Sequence, residues 1–149
     1  MIRFVRTNSL NPDFISLVFL LDAEIAERYP VIHMEYAPLN KTENLKTVVV
    51  AYQDDEPVGC GCFRHYDETT AEVKRMYVKD NKRGSGIASG VLNELEKWAK
   101  ELSYQAIVLE TGSLQHEALA LYKKTGYEGI ETYPPYIGMS DSICFRKVL

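Results

Sequence analysis

The chain has 149 residues, 46% of them hydrophobic and 26% charged, with a formal net charge of −4. That size and balance describe one ordinary domain, residues 1–149, able to bury a core without disulfides or a metal. No basic stripe runs through it, which argues against a nucleic-acid partner, and the mild acidity suits a cationic substrate no better than it suits solubility.

In chain order, residues 2–6 read as a strand and 12–28 as a helix. Asn11 stands as an N-cap, Pro12 at the first helical position and Asp13 as a first-turn acid, while Phe14, Leu17, Val18, Leu21 and Ile25 continue one apolar face. This start separates the run 14–21 from a secretion signal, and the run falls short of the about 20 apolar residues that span a bilayer. A cytoplasmic protein without a membrane anchor is expected. An irregular or short helical stretch should reach about residue 41. Strands at 45–53 and 57–66 follow, joined by Asp54, Asp55 and Glu56 as a hairpin turn. Next come a strand at 70–78, a helix at 85–102, a strand at 105–111, a helix at 115–125, and strands at 127–133 and 142–148. An antiparallel meander followed by a strand–helix–strand crossover is an α/β (α+β) layout with a mixed sheet.

The strand at 70–78 breaks its own alternation, because Lys74 and Arg75 are consecutive charges in a segment that should be buried. A β-bulge would reconcile the pattern, and bulges often re-aim side chains beside active sites. The cysteines carry less. Cys60 and Cys62 share a strand face, His65 does not continue their spacing, and no second Cys or His pair completes a zinc site, so no metal is expected. They and Cys144 read as packed thiols, with a covalent acyl-cysteine left open at Cys144.

Residues 83–90, Arg83-Gly84-Ser85-Gly86-Ile87-Ala88-Ser89-Gly90, lie between the 70–78 strand and an amphipathic helix. Glycines feeding a helix start leave unpaired N–H groups aimed at one spot, where the helix dipole also favours an anion. A Walker A loop would continue Lys-Ser or Lys-Thr, whereas this one continues Ile87-Ala88, and Ser89 breaks the spacing of a dinucleotide fingerprint. What fits is Arg83-x-x-Gly86-x-Ala88. Downstream, Gln115 to Tyr127 ends Leu121-Tyr122-Lys123-Lys124-Thr125-Gly126-Tyr127, and one helix and one strand separate the two motifs. Together with Lys74 to Val78 and Leu109-Glu110-Thr111, these segments resemble the GCN5-related N-acetyltransferases (GNAT) over roughly residues 2–149.

The resemblance implies a mixed, mostly antiparallel sheet of about seven strands flanked by helices. It also implies that the strands at 70–78 and 106–111 splay apart to admit the pantetheine arm of acetyl-CoA. Backbone groups of Met76, Tyr77 and Val78 would pair with that arm like an added strand. Arg83, Gly84, Ser85, Gly86, Ile87 and Ala88 would hold the pyrophosphate, with Gln115 and Tyr122 completing the cofactor site. The family often has Asn where Gln115 stands. Tyr122 falls where the family places its general acid, serving the leaving CoA thiolate.

The acceptor implied is an amine on a small molecule or peptide. A primary amine titrates near about 10.4, so its attacking form must be generated or selected. Glu72 is the first candidate base, with Glu110 next and His65 or His116 behind. The segments 28–36 and 133–138, rich in aromatics and proline, would wall the acceptor site. Pairing of two copies into a homodimer stays open. Bland alternatives stand beside each role: Tyr122 as a core aromatic, Glu72 as a solvated strand charge, and Arg83 and His116 as surface residues. A catalytically silent acyl-CoA-binding or protein-interaction domain on the same fold is the alternative to an enzyme.

Overall fold

The Asn11 side chain accepts hydrogen bonds from the N–H groups of Asp13 (2.8 Å) and Phe14 (3.1 Å), and Pro12 opens helix α1 (Pro12–Arg28) as expected. These positions come from a computed structural model that describes residues 1–29 and 44–149. The expected irregular stretch to about residue 41, and residues 30–36 of the expected acceptor wall, lie outside the described residues.

Strand β1 (Ile2–Thr7) pairs antiparallel with β2 (Val48–Gln53), which pairs in turn with β3 (Glu56–His65). Gln53 faces Glu56, so the hairpin loop is Asp54-Asp55 alone. Both residues have positive φ, 49° and 73°, as a two-residue turn of this hand requires, and aspartate tolerates that region better than most side chains. β2 begins at Val48 rather than at residue 45, because Leu45 bonds Ser9 instead, through Ser9 N–H to Leu45 O at 2.9 Å and Leu45 N–H to Ser9 Oγ at 3.1 Å.

β4 (Thr70–Val78) continues the meander, and β5 (Ala106–Gly112) joins it in parallel after helix α2 (Ile87–Glu101). Helix α3 (His116–Lys124) then leads to β6 (Glu128–Ile130) and β7 (Ser142–Val148), completing a seven-stranded sheet in the order β1-β2-β3-β4-β5-β7-β6. Two ends are shorter than the sequence suggests. α2 starts at Ile87 because Gly86, the N-cap, is left-handed, and β6 ends early because the chain turns at Tyr133, whose carbonyl accepts from Tyr136 N–H at 2.7 Å.

The middle of the sheet is buried on both faces, so β2 reads as an unbroken apolar run over residues 48–51. Val49 and Ala51 pack with Val91, Leu92 and Leu95 of α2, while Val48 and Val50 pack with Phe14 and Leu17 of α1. The expected bulge in β4 is present. Cys60 pairs with Tyr77 and Cys62 with Lys74, so Arg75 and Met76 together oppose a single residue of β3, and Arg75 has φ +60°. Val73 and Met76 both pack on the α2 side; the extra residue between them keeps that possible. The buried thiols of Cys62 and Cys60 donate to the carbonyls of Lys74 (3.2 Å) and Arg75 (3.5 Å), bracing the bulge.

Candidate active site

β4 and β5 pair only from Thr70↔Ala106 to Val73↔Leu109. Beyond that point the strands have no mutual register, and a cleft opens between Lys74–Met76 on one side and Glu110–Gly112 on the other. The chain therefore has the splayed pair that the sequence implied. A second groove, along Met76, Tyr77 and Val78 to the glycine loop, shares Leu21, Met76, Gln115, Ala118 and Tyr122 with the first. The two grooves adjoin along those residues and are together called the channel below.

At the loop end, Gly84 and Gly86 have φ of +85° and +84°, and a Cβ on either would point into open space. The N–H groups of residues 84–89 donate to no acceptor among the described residues. These amides at a helix start are a preformed anion site. Ser85 Oγ bonds back to Lys82 O at 2.8 Å, Ile87 is buried in the core, and Ala88 and Ser89 line the groove. Arg83 is engaged rather than free. Its Nη2 lies 2.8 and 3.1 Å from the Glu24 carboxylate oxygens, its Nε donates to Val78 O at 2.9 Å, and it stacks over Tyr77. Gln115 occupies the N-cap position of α3 without a side-chain cap bond, and its carbonyl accepts from Arg28 Nη1 instead.

Tyr122 lies where the two grooves adjoin. Its ring packs edge-on against Tyr127 (5.6 Å between centroids) and tilted against Phe145 (5.8 Å), at 4% exposure. The ring belongs to the core, and the residue also lines both grooves. Burial, with the nearby Glu110 charge second, pushes the phenol well above its ordinary range. The hydroxyl has no hydrogen-bond partner among the described residues.

Glu72 is not a solvated strand charge. It is 1% exposed, with Oε1 accepting from Arg64 Nε at 2.5 Å and Oε2 accepting from the Tyr133 hydroxyl at 2.6 Å. Burying a carboxylate demands such partners. Glu110 also lines the cleft but is held less tightly, with Ser142 Oγ donating to Oε2 at 2.7 Å. Burial raises its carboxyl to about 7. His65 contacts Tyr104 at 2.9 Å and His116 opens α3; neither lines the channel.

Sequence reasoning did not single out Arg64, Asp141 or Ser142 for this site. Arg64 was reachable in principle, since it lies directly across from Glu72 in the β3–β4 register. Ser142 arrives from a distant segment with no local signal, whereas Tyr29, which accepts from Leu114 N–H at 2.6 Å, belongs to the expected 28–36 wall. The segment 133–138 does contribute, through Tyr133 on Glu72 and Tyr136 on Lys74 (3.1 Å). The cysteines are packing groups: burial pushes Cys60 up and Cys62 up to about 12. Cys144 lies under Tyr133 and Tyr136.

A glycine loop at a helix start, beside two splayed parallel strands and a channel that joins them, defines an acyl-CoA-dependent acyltransferase fold. The model of the acetyltransferase (GNAT) family matches residues 12–127, and the chain belongs to that family. It is 30% identical over 143 residues to the IAA acetyltransferase of Azospirillum brasilense, covering 91% of this chain and 90% of that protein. The fold is that of the PaiA N-acetyltransferase of Thermoplasma acidophilum, solved in complex with coenzyme A (TM-score 0.75, 16% identity, 100% and 99% of the two chains). It is also that of a GNAT acetyltransferase from Elizabethkingia anophelis with acetyl-CoA bound (TM-score 0.70, 21% identity, 99% and 98%). Among the described residues no helix is long and apolar enough to cross a membrane.

Proposed function

We propose that this chain transfers the acetyl group of acetyl-CoA to an amine on a small molecule or peptide. The observation that carries this reading is the pair of adjoining grooves, with open loop amides at one end, Tyr122 lining both and Glu110 at the other end. A pyrophosphate fits the amides of residues 84–89, and the unpaired edge of β4 at Met76, Tyr77 and Val78 suits an extended amide-bearing arm.

The chemistry needs a base for the amine proton and a donor for the departing sulfur. Glu110 is favoured over Glu72 as the base. A carboxyl near 7 is poised to take a proton at neutral pH, whereas both oxygens of Glu72 are already occupied. Glu72 instead orients Tyr133 and supplies negative charge at the acceptor end. Tyr122 donates a hydrogen bond to the sulfur as negative charge develops there. Its raised pKa keeps the proton on the phenol, since thiols titrate near about 8.5. Peptide N–H groups of the bulge, freed from β3, are suited to the developing oxyanion.

The test is calorimetry with acetyl-CoA, followed by an assay of free CoA thiol with amines, polyamines, amino acids, antibiotics and lysine peptides. No binding up to millimolar acetyl-CoA would overturn the reading. Binding without thiol release from any acceptor would return the silent acyl-CoA-binding domain.

A further inference from the structure

The acceptor end of the channel holds two adjacent buried cations. Lys74 is 8% exposed and Arg75 7%, both line the cleft, and the backbone adopts φ +60° at Arg75 in the bulge that carries them. Left-handed backbone at a non-glycine residue is costly and recurs where function demands it. Lys74 is satisfied by the Tyr136 hydroxyl at 3.1 Å. Arg75 is satisfied in part: one terminal nitrogen pairs with Asp22, a carboxylate half in solvent, while Nε is buried with no hydrogen-bond partner among the described residues. A guanidinium donor buried without an acceptor is expensive unless something supplies one.

The anions around it constrain what that something is. Glu72, Glu110 and Asp141 line the same cleft as Lys74 and Arg75. A ligand that is only anionic would meet those carboxylates, and one that is only cationic would meet the two cations. A ligand with both charges close together satisfies both walls. Glu110 is the first residue of β5 past the last paired couple, Val73↔Leu109, and Arg75 is the second of β4 past it, so both charges stand where the cleft begins to open.

We propose that the acceptor is an amino acid, its carboxylate held by Arg75 and its nitrogen beside Glu110. This rests on the acetyl-transfer reading above. The nitrogen forms a bond to the acetyl carbon, the thioester C–S bond breaks, the amine proton passes to Glu110, and the products are an N-acetylamino acid and CoA. Leu21, Ile25, Tyr29 and Tyr136 give the remaining wall an apolar and aromatic character that suits a hydrophobic side chain.

The twenty protein amino acids are offered singly with acetyl-CoA while free thiol is followed. The best of them is then compared with its carboxamide and its decarboxylated amine. The carboxamide has the least basic nitrogen of the three, so a preference for the acid runs against simple nucleophile availability. The acid should lead both analogues by about 10- to 100-fold in kcat/KM, the worth of a hydrogen bond to a charged group. Arg75→Gln should raise KM for the acid by a similar factor and leave the amine within a few-fold. The comparison in the unmodified protein stands whether or not that variant folds. Three results overturn the proposal: analogues that match or exceed the acid, equal losses for acid and amine in a folded Arg75→Gln, or no turnover of any of the twenty by a protein that binds acetyl-CoA. Failure to bind acetyl-CoA would instead sink the acetyl-transfer reading itself.

Discussion

The Tyr133 hydroxyl donates to Glu72 Oε2 at 2.6 Å, closing the second oxygen of a carboxylate whose first is held by Arg64. Glu72 lies on a central strand and Tyr133 in the turn after β6, so this bond fastens the acceptor-side loop to the middle of the sheet. Tyr133→Phe removes the donor and leaves a buried carboxylate oxygen unpartnered. The expected loss is about 1.5–3 kcal/mol, read by urea denaturation. An unchanged midpoint would show that water replaces the phenol without cost.

Glu110 gives the pH dependence a definite sign. Its carboxyl is raised from 4.5 to about 7 by burial, so the folded state holds its proton more tightly than the unfolded chain does. The contribution to stability is full below pH 4.5 and is lost as pH rises through about 7. Glu110→Gln cannot ionise, so its stability relative to the parent should improve steadily across that window, as thermal melts at several pH values will show. Its kcat/KM should fall and lose the enzyme-borne limb near pH 7. A limb that persists in Glu110→Gln and moves with the basicity of the acceptor would instead belong to the amine.

Tyr122→Phe separates packing from catalysis. The ring contacts with Tyr127 and Phe145 are kept, and the lost hydroxyl has no partner among the described residues, so the melting temperature should barely move. Acetyl-CoA affinity should stay within a few-fold, while turnover should drop by about 10²–10³, as for loss of one preorganised donor. Unchanged turnover would leave Tyr122 as a core aromatic alone.

Gly86 tests the loop. Its φ of +84° makes alanine strained by about 1–2 kcal/mol although the space around a Cβ is open. Gly86→Ala should therefore cost stability without blocking the groove sterically. Gly86→Glu places a carboxylate among the amides of residues 84–89 and should abolish acetyl-CoA binding in calorimetry while circular dichroism remains native.

What the sequence made legible was mostly local. The α1 cap is written in three consecutive residues, and the bulge in β4 betrays itself by two adjacent charges in a buried strand. The glycine loop needs only its own backbone. Less legible were interactions closed over long chain distances. Glu72 looks like a surface charge until Arg64 and Tyr133 are brought to it, and nothing local separates it from Glu110 as a base. Among the described residues, the difference lies in the side chains that hold each carboxylate: Arg64 and Tyr133 on Glu72, and Ser142 on Glu110. The strand expected at 127–133 also overran, since β6 ends at Ile130 and the turn at Tyr133, with its hydroxyl on Glu72, is closed by contacts that residues 127–133 do not show on their own.

The short parallel splice between β4 and β5 also has a mechanical meaning. Four residue pairs join the half-sheet β1–β4 to the half-sheet β5–β7, whereas β5 and β7 pair along their full length. Each half is stiffened by its own ladder, so the softest line through the sheet runs along the channel. Deformation concentrates where the ligands enter, and a bound ligand that bridges Met76–Val78 to the far wall would act as the missing rungs. The amides of residues 74–78 and 110–112 are then the ones whose hydrogen exchange should slow most when the channel is filled.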